Sequence, residues 1–481
     1  MNLFVSSETS SVSVTTLCRV IFTAGEMSLI GFKQGQDSDD KLSHKDNSID
    51  PIQGLNVRPT DRLIRLIQSL LPHTLPSMNG AVGKVVDPVL RAQAFVAFGK
   101  LCLRDQKLAK ESLNIFAQEL HEIGPDSNAA VRSNALLVLG DLCVCYTHLV
   151  DKFLPLMATC LQAQTEDNEE NTSIVCQHAI ILFSNLLLQD YIKWKGLLFY
   201  RFVAAAVSKD AVVANLAKAV LCGPLLSKQP QLFSNNFIDT IFILNGCKSR
   251  PMNSSSAFGA SNEDRLDELG SLRVKSALER SKIYDLLLDH MSDEEKIGVT
   301  ARLAKDVLQS ATGRSGSLSQ AASAHGGVQE DQNLSLYGAY CVLSDCFSIL
   351  TNSRLHIGKS KQNDQLEEEE DANASLASLG PNAAQLHSVK GRLLSKISRK
   401  HMIETVVPIL CNLKLVLEKS RSPLLKQLMG YMVCIFRQFK SEINELLVSN
   451  KTLLQEIQYD TRQFEKSQIV ETSAMVEMST A

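Results

Sequence analysis

The chain has 481 residues, a formal net charge of −3 at pH 7, and 44% hydrophobic but only 6% aromatic residues. The near-neutral charge excludes a general electrostatic attraction to nucleic acid or to a membrane surface, so any such binding requires a local patch. Leu, Ala, Ser, Lys and Glu are abundant and β-branched alternation is scarce, which favours helices. The length suits several globular domains or one elongated array.

The 12 cysteines lie mostly within apolar runs, where a free thiol behaves as a small hydrophobic side chain. Their placement predicts a reducing compartment, the nucleus or the cytosol. The N-terminal stretch lacks the basic region and the long apolar core of a signal peptide. No uninterrupted apolar stretch reaches the roughly 18–20 residues that span a bilayer, so we expect no membrane contact.

In chain order, hydrophobic pattern and composition divide the sequence into successive segments. They are a disordered N-terminal segment (1–59), a helical repeat array (60–246), further helices with flexible loops (247–357), an acidic disordered loop (358–385), a basic C-terminal helical block (386–466) and a disordered tail (467–481). Segments rich in Ser, Asp and Gly without periodicity predict disorder. For the same reason residues 312–333 are predicted to be a flexible linker.

The array is built from repeats. The stretch VLRAQAFVAFGKLCL, which begins at Val89, recurs as AVRSNALLVLGDLCV at an offset of 41 residues, and IVCQHAIILFSNLLL follows at a further offset of 44. A period near 40 with two helices per unit is typical of HEAT and armadillo repeats. Such units must stack, because one unit cannot bury its apolar faces alone. The sequence therefore predicts an all-α fold, an α-α superhelix of the HEAT/armadillo-like solenoid type.

Two local features predict how these helices begin and pack. Asp87 precedes a proline at the start of a helix, where its side chain can cap the free N–H groups. Small residues occupy one repeat position, where they let a neighbouring helix approach closely. They are Gly99, Gly140 and Ser184.

Two further stretches carry a family resemblance: LLLQDYIKWKGLLFYRFVAAAV and the closing FKSEINELLVSNKTLLQEIQYDTRQFEK. Together with the repeats, they resemble the D-type HEAT-repeat subunit of condensin II, a non-SMC regulatory subunit. The resemblance covers roughly residues 62–466, and its order along the chain fits the C-terminal half of the family. Members of that family are much longer, so we expect the chain to correspond to a fragment, an isoform or a partial sequence of such a protein.

The resemblance implies a non-enzymatic scaffold without a cofactor or a small-molecule substrate. The implied partners are the kleisin and SMC subunits of condensin II, its second HEAT subunit, and duplex DNA or chromatin. It also implies a role in mitotic chromosome condensation, location in the nucleus and on chromosomes, and regulation by phosphorylation. The alternatives are another HEAT scaffold, such as a nuclear transport receptor or vesicle-coat adaptor, or a helical regulatory region of a larger enzyme.

A local basic segment is the first candidate site. Between residues 390 and 440, eleven Lys and Arg face only two acidic residues. On a helix, four of these cations share one face, and such a row binds phosphates without sequence preference and with strong salt dependence. The alternatives are a solvated helix face or an intramolecular partner for the acidic EEEED run. The candidate nucleic-acid-binding residues are Lys390, Arg392, Lys396, Arg399 and Lys400.

Two arginines and the single tryptophan are weak candidates for a partner interface. Arg91 and Arg132 recur at one repeat position, which suggests a ladder that a partner binds. The favoured alternative is structural, in which each guanidinium ties one repeat to the next through a carboxylate or a helix C-terminus. Trp194 lies between two lysines and serves either as an interface anchor or in packing between repeats.

Ser422 lies in the only Ser/Thr-Pro dipeptide, which makes it the candidate for a proline-directed kinase. Its alternative role is a helix N-cap, where a phosphate would also be electrostatically favourable. No cysteines and histidines stand at zinc spacing, so no metal site is predicted. The sequence lacks the P-loop, dinucleotide, zinc-protease, nucleophile-elbow and kinase motifs, and we therefore predict no catalytic residues.

Overall fold

The protein is described here by a computed structural model. The described residues are 13–30, 60–72, 86–121, 128–162, 169–247, 272–313, 316–330, 333–355, 396–439, 455, 458–464 and 466. Within these ranges the chain forms helices and turns and contains no strand. It divides into two compact units, Met1–Lys228 (unit 1) and Gln229–Ala481 (unit 2). The boundary after Lys228 lies before residue 246, the predicted end of the array. The reason is that the helix Leu232–Leu244 packs on helices that come later in the chain.

Unit 1 consists of helices in two layers. Helices α1, α3, α5, α8 and α10 pack side by side in layer 1, whereas α4, α7 and α9 follow one another in layer 2. The elements are α1 (Val14–Leu29), α2 (Asp61–Gln68), α3 (Pro88–Arg104), α4 (Gln106–His121), α5 (Ala129–Cys145), α6 (Thr147–Val150), a 3₁₀ turn (Asp151–Phe153), α7 (Leu154–Thr159), α8 (Glu169–Leu188), α9 (Leu198–Ala205), α10 (Ala211–Val220), a π-helical turn (Leu221–Leu225) and α11 (Leu226–Lys228).

Repeated caps determine where three layer-1 helices begin. The carboxylate of Asp87 accepts hydrogen bonds from the backbone N–H groups of Val89 and Leu90, as the sequence predicted. Asn128 and Asp210 each accept two N–H groups at the same positions of α5 and α10. Each cap satisfies donors that have no partner within the helix.

Glycine lets the layer-1 helices approach closely, as the repeat predicted. A Cβ atom at Gly99 would lie 2.7 Å from Cγ1 of Val138 on α5. A Cβ atom at Gly140 would lie 2.9 Å from Cδ2 of Leu182 on α8. Both distances are shorter than a normal carbon–carbon contact, so a larger residue at either position requires the neighbouring side chain or helix to move.

The prediction of disorder over residues 1–59 is wrong for α1. A Cβ atom at Gly25 of α1 would lie 3.2 Å from the Cβ atom of Ala97 on α3. Gly25 thus contacts α3 in the same register in which Gly99 contacts α5 and Gly140 contacts α8. Lys100 of α3 also forms an ion pair with Glu26. Helix α1 therefore occupies the position of a further layer-1 helix, next to α3.

Helix α1 was not predicted because the Ser- and Thr-rich stretch around its first turn is typical of disorder. Its contact with α3 buries only a narrow stripe that contains Ile21, Gly25 and Ser28. Exposed polar side chains, including Thr16 and Thr23, occupy other positions of the helix. Apolar side chains are exposed on this helix as well, among them Val20, Phe22 and Met27, because no neighbour covers its outer face in the described part of unit 1.

Unit 2 is arranged around one long apolar helix, α17, which contacts α12, α13, α16 and α19. Its elements are α12 (Leu232–Leu244), α13 (Ala277–Asp289), α14 (Asp293–Arg302), a π-helical turn (Leu303–Leu308), α15 (Gln309–Ala311), α16 (Ser317–Ser323), α17 (Leu334–Thr351), a 3₁₀ turn (Ser353–Leu355), a second π-helical turn (Met402–Val406), α18 (Val407–Lys419) and α19 (Leu424–Gln438). Residues 458–464 are also helical.

The prediction of a flexible linker over residues 312–333 is wrong for α16. Leu318 and Ala321 of this short helix are buried against α17. The hydroxyl of Ser420 donates a hydrogen bond of 2.9 Å to the carbonyl oxygen of Ala322. Small apolar residues among serines suffice to fix the segment because distant helices cover them, which local composition does not reveal.

Two helical stretches, Ala211–Lys228 and Leu334–Thr351, are long and apolar enough to cross a membrane when judged by length and composition alone. From the sequence we expected no apolar stretch of that length. Half of Leu334–Thr351 is buried inside the fold, where it packs against the helices of unit 2. Apolar core helices pass the same test as membrane spans, so this finding alone carries little weight.

Candidate functional site

The predicted basic cluster is described in part. Lys390 and Arg392 lie outside the described residues. Lys396, Arg399 and Lys400 lie on a described helical turn, and all three are exposed. Their spacing of three and four residues places them on one side of the helix. The turn therefore presents three cations at the surface of unit 2.

Neighbouring side chains orient two of these cations. The guanidinium carbon of Arg399 lies 6.0 Å from the ring centroid of Phe439, at the outer limit of a cation–π contact. The ammonium of Lys400 lies 4.0 Å from a carboxylate oxygen of Glu404, one helical turn away. An exposed pair at this distance contributes little and is screened by salt, so Lys400 stays available to an anionic ligand.

One predicted cation of the basic segment is not at the surface. The side chain of Lys414 is 1% exposed and forms ion pairs of 2.7 Å with Glu418 and 2.8 Å with Asp460. Its charge therefore holds the helical segment 458–464 against α18. The basic surface is smaller than the residue count predicted, because a carboxylate far along the chain neutralises this lysine.

Arg91 is buried and makes contacts only within unit 1. Its Nε donates a hydrogen bond of 2.6 Å to the carbonyl oxygen of Leu71, which follows α2 in the chain. Both terminal nitrogens donate to the carboxylate of Glu119 on α4, one of them at 3.0 Å. The guanidinium also lies 5.4 Å from the ring centroid of Phe95. These contacts are those of the structural tie that the sequence analysis favoured.

Arg132 occupies the equivalent place in the next repeat but meets a thiol. Cys160 follows Glu119 by 41 residues, the same offset that relates Arg132 to Arg91. Burial raises the pKa of Cys160 to about 11, and the charge and hydrogen bond of Arg132 oppose this rise. Nε of Arg132 has no hydrogen-bond partner among the described residues. Since both guanidinium groups are buried, the hypothesis that they form a ladder for a partner protein is wrong.

Trp194 packs inside unit 1. It is half-buried, and its ring lies edge-on to Phe199 at 5.8 Å and to Phe202 at 5.6 Å between centroids. Such edge-to-face aromatic contacts stabilise a core. The geometry fits the packing role better than the anchor role, although part of the ring remains accessible.

Ser422 is buried, with 3% of its surface exposed. Helix α19 begins after Pro423 and has no side-chain cap, so the predicted N-cap role of Ser422 is wrong. The backbone N–H of Gly326 donates a hydrogen bond of 3.1 Å to the carbonyl oxygen of Ser420, which places the turn after α16 over this region. The sequence could not reveal this cover, because it comes from residues about a hundred positions earlier.

We expect the folded chain to resist phosphorylation at Ser422, since a kinase cannot reach a buried hydroxyl. A proline-directed kinase should label a free peptide that contains Ser422-Pro423 far faster than the folded chain. Phosphopeptide mass spectrometry on both substrates measures the ratio. Equal labelling of the two would show that the segment opens readily and that the burial is not maintained in solution.

A buried polar network in unit 2 was missed by the sequence analysis. The carboxylate of Asp345 on α17 accepts two hydrogen bonds from Arg280, at 2.7 and 3.0 Å. It also accepts one from the hydroxyl of Tyr284 and one from the side-chain amide of Asn245, each at 2.8 Å. Burial, with the nearby Asp345 charge, raises the pKa of Tyr284 well above its usual range. The one available signal was a single aspartate within an otherwise uncharged helix.

No candidate metal centre occurs in the described part of the chain. Within it, no three His, Cys, Asp or Glu side chains are grouped so that they could hold an ion. None of the twelve cysteines forms a disulfide bond. The basic turn of unit 2 thus remains the candidate site.

Comparison with known protein families gives three matches that follow one another along the chain. Residues 56–120 and 353–473 match two HEAT-repeat families described as condensin-2 complex subunit D3-like. Residues 130–317, between them, match the family of non-SMC mitotic condensation complex subunit 1. The chain belongs to the condensin-2 subunit D3 family of HEAT-repeat proteins. The resemblance found in the sequence is thereby confirmed.

Individual members of the condensin-2 D3 family are similar in sequence to most of this chain. Condensin-2 complex subunit D3 of Mus musculus is 30% identical over 440 residues, which cover 87% of this chain and 27% of that protein. Condensin-2 complex subunit CAP-D3 of Arabidopsis thaliana is 31% identical over 405 residues, 82% of this chain and 28% of that protein. The chain thus spans about a quarter of the length of these curated relatives.

Membership of the condensin-2 D3 family confirms the predicted fold class. HEAT-repeat family matches and an all-helical described chain agree with an all-α HEAT solenoid. No solved structure matches the chain. The matched relatives are named as complex subunits, and none of those names describes an enzyme.

Proposed function

We propose that the chain is a non-enzymatic scaffold region of a condensin-2 complex and acts in mitotic chromosome condensation. The observation that carries the proposal is the run of condensin family matches, which extends from residue 56 to residue 473 with gaps at 121–129 and 318–352. The partners in this proposal are the kleisin and SMC subunits, the second HEAT subunit and duplex DNA, on chromosomes in the nucleus. A stack of helices supports such a role because it offers long surfaces for binding.

Affinity purification of the tagged chain from dividing cells tests the assembly. We expect SMC and kleisin chains to co-purify at near-equal amounts. Recovery of a small GTPase with transport cargo, or of vesicle-coat proteins, would instead support the alternative scaffolds. Recovery of a catalytic polypeptide, without condensin subunits and without transport or coat proteins, would support a regulatory region of a larger enzyme.

We further propose that the exposed turn containing Lys396, Arg399 and Lys400 contacts duplex DNA. Three cations on one side of a helix can replace counterions along a phosphate backbone, which gives binding without sequence preference. Replacing all three with Glu should lower the affinity for a random duplex. It should also reduce the slope of log K against log salt by about 2 to 3, since each phosphate contact contributes about 0.9.

The matched control for this experiment lies on α4. Lys107 and Lys110 are exposed on that helix and belong to no predicted cluster. Their replacement by Glu lowers the net charge by four units, against six for the triple variant, and should leave the salt slope unchanged. If the α4 variant weakens binding as much as the triple variant, general charge rather than the turn at 396–400 determines the affinity.

A further inference from the structure

Arg132 of α5 is a buried cation without a carboxylate partner among the described residues. It is 9% exposed, and its guanidinium contacts the thiol of Cys160. In the part of the chain that the structure describes, Arg132 forms no ion pair, and its Nε has no hydrogen-bond partner. Arginine stays protonated in proteins, so its charge cannot be removed by loss of a proton. Burial of an unpaired charge is strongly unfavourable, so this position requires a neutralising group.

The preceding repeat shows which group is missing beside Arg132. Arg91 is buried as well, and both of its terminal nitrogens donate to the carboxylate of Glu119, which lies 28 residues later. The residue at the same distance after Arg132 is Cys160. The second repeat therefore keeps the buried guanidinium but has a thiol in place of its carboxylate. Two equivalent places in unit 1 thus differ by one negative charge.

The thiol of Cys160 does not supply this charge. It is 4% exposed, and burial raises its pKa to about 11 although the charge of Arg132 opposes the rise. A thiol with such a pKa is protonated and neutral at pH 7. A single sulfur atom also cannot accept the two parallel hydrogen bonds that a carboxylate accepts from a guanidinium. Cys160 therefore leaves the charge of Arg132 uncompensated.

A second guanidinium lies near the same thiol. Arg201 of α9 is 1% exposed, and its charge also opposes the rise in the pKa of Cys160. One of its terminal nitrogens donates a hydrogen bond of 2.6 Å to the side-chain oxygen of Gln162, which follows α7. Two cations thus approach Cys160, one from α5 and one from α9. An anion beside the thiol is attracted to both.

We propose that a chloride ion binds beside Cys160 and neutralises Arg132. The side chain of cysteine ends at Sγ, whereas that of glutamate continues to a carboxylate, so a small ion can take the place that the carboxylate of Glu119 occupies in the preceding repeat. The Nε–H group of Arg132 donates a hydrogen bond to this ion.

Size and charge favour chloride over a phosphate or a sulfate. A monovalent ion matches the single charge of Arg132. A divalent oxyanion is larger than the carboxylate that it would replace, and it loses more hydration energy when it is buried. The chloride site lies inside unit 1 and does not depend on the proposed scaffold role or on the proposed DNA contact.

Thermal unfolding of the full chain tests the chloride site, with Trp194 as the reporter. Trp194 is the only tryptophan in the sequence and packs against Phe199 and Phe202, so its fluorescence follows the unfolding of unit 1. Sodium chloride replaces sodium gluconate stepwise at constant ionic strength, since gluconate is too large for the place of a carboxylate group. We expect the midpoint to rise by about 5 °C or more once chloride exceeds its Kd by about a hundredfold. Equal midpoints in both salts would overturn the proposal.

Variants at Cys160 separate the effect of charge from the effect of space. Cys160→Glu restores the carboxylate of the preceding repeat, so it should raise the midpoint in gluconate and abolish the stabilisation by chloride. Cys160→Gln fills the same space without a charge. It should also abolish the stabilisation by chloride, but it should raise the midpoint in gluconate less than Cys160→Glu does. A full response of Cys160→Glu to chloride would contradict the proposed position of the ion.

Replacement of the cation provides the last arm. Arg132→Met removes the charge but keeps a long side chain, and should abolish the stabilisation by chloride. Lys110→Met removes an exposed cation of α4 and is the matched control, which should respond to chloride as the unaltered chain does. Crystals grown in bromide should show an anomalous scattering peak beside the guanidinium of Arg132. Bromide at the molecular surface alone, or an undiminished chloride response in Arg132→Met, would show that the ion does not neutralise Arg132.

Discussion

Replacing Asp345 with Asn should destabilise unit 2 by about 3–5 kcal/mol, the usual cost of removing one partner from a buried ion pair. The side chains of Asp345 and Arg280 are 7% and 6% exposed, so water cannot replace the lost carboxylate. The variant amide also presents donors to Arg280 and Tyr284, which are themselves donors. Urea denaturation followed by circular dichroism measures the loss, and hydrogen exchange shows whether unit 2 opens first.

Two further variants separate a buried charge from a general effect of substitution. Asp289→Asn removes an exposed carboxylate that pairs with Arg354 at 2.9 Å, and should cost at most about 1 kcal/mol. The double variant Asp345→Leu, Arg280→Met removes both buried charges and should regain part of the stability lost in Asp345→Asn. Equal urea midpoints for Asp345→Asn and Asp289→Asn would show that the network contributes no more than a surface pair.

Replacing Gly99 with Ala should destabilise unit 1 by about 1–3 kcal/mol, although Ala is the better helix former by about 1 kcal/mol. The new Cβ atom would meet both methyl groups and the Cβ atom of Val138, at 2.7 Å from Cγ1 and 3.1 Å from Cβ. A β-branched side chain in a helix has one strongly preferred rotamer, so Val138 cannot turn aside. The two helices must separate instead, and a lower thermal midpoint reports the change.

The control and the rescue for this prediction come from the same chain. Gly298 lies within α14 and has no atom within 4 Å of the place where a Cβ would stand. Gly298→Ala should therefore stabilise the protein by about 0.5–1 kcal/mol. Val138→Ala, added to Gly99→Ala, should recover stability because it removes the colliding methyl groups. A neutral Gly99→Ala variant would show that α3 and α5 adjust at no cost.

Much of unit 1 could be predicted because its determinants are local and repeated. The Asp87 cap precedes its helix directly, and Gly99 and Gly140 recur at the offset of the repeat. A repeat lets one unit predict the next, so a few residues indicated the contacts of several helices. Helix α1 was not predicted because Ser and Thr dominate the stretch around its start, and its glycine contact with α3 is visible only in the fold.

The candidate sites were predicted less well, because charge and burial depend on residues far apart in the chain. Lys414 counted toward a basic surface, yet Asp460 neutralises it from another helix. Ser422 was an accessible candidate in the sequence, yet the turn after α16 covers its region. Lys396 and Arg399 remained exposed, in agreement with their place on one side of a helix.

The amino-acid pattern was thus sufficient for the fold class, the family and the period of the helical stack. Helical spacing, caps and small residues act over a few positions, so they can be read without knowing the neighbours of each helix. The packing of the helices in register determined which individual residues are buried and which charges are paired. It buried Arg91 and Arg132 and neutralised Lys414. These outcomes depend on which helices meet, because burial and the pairing of charges are properties of the assembled fold.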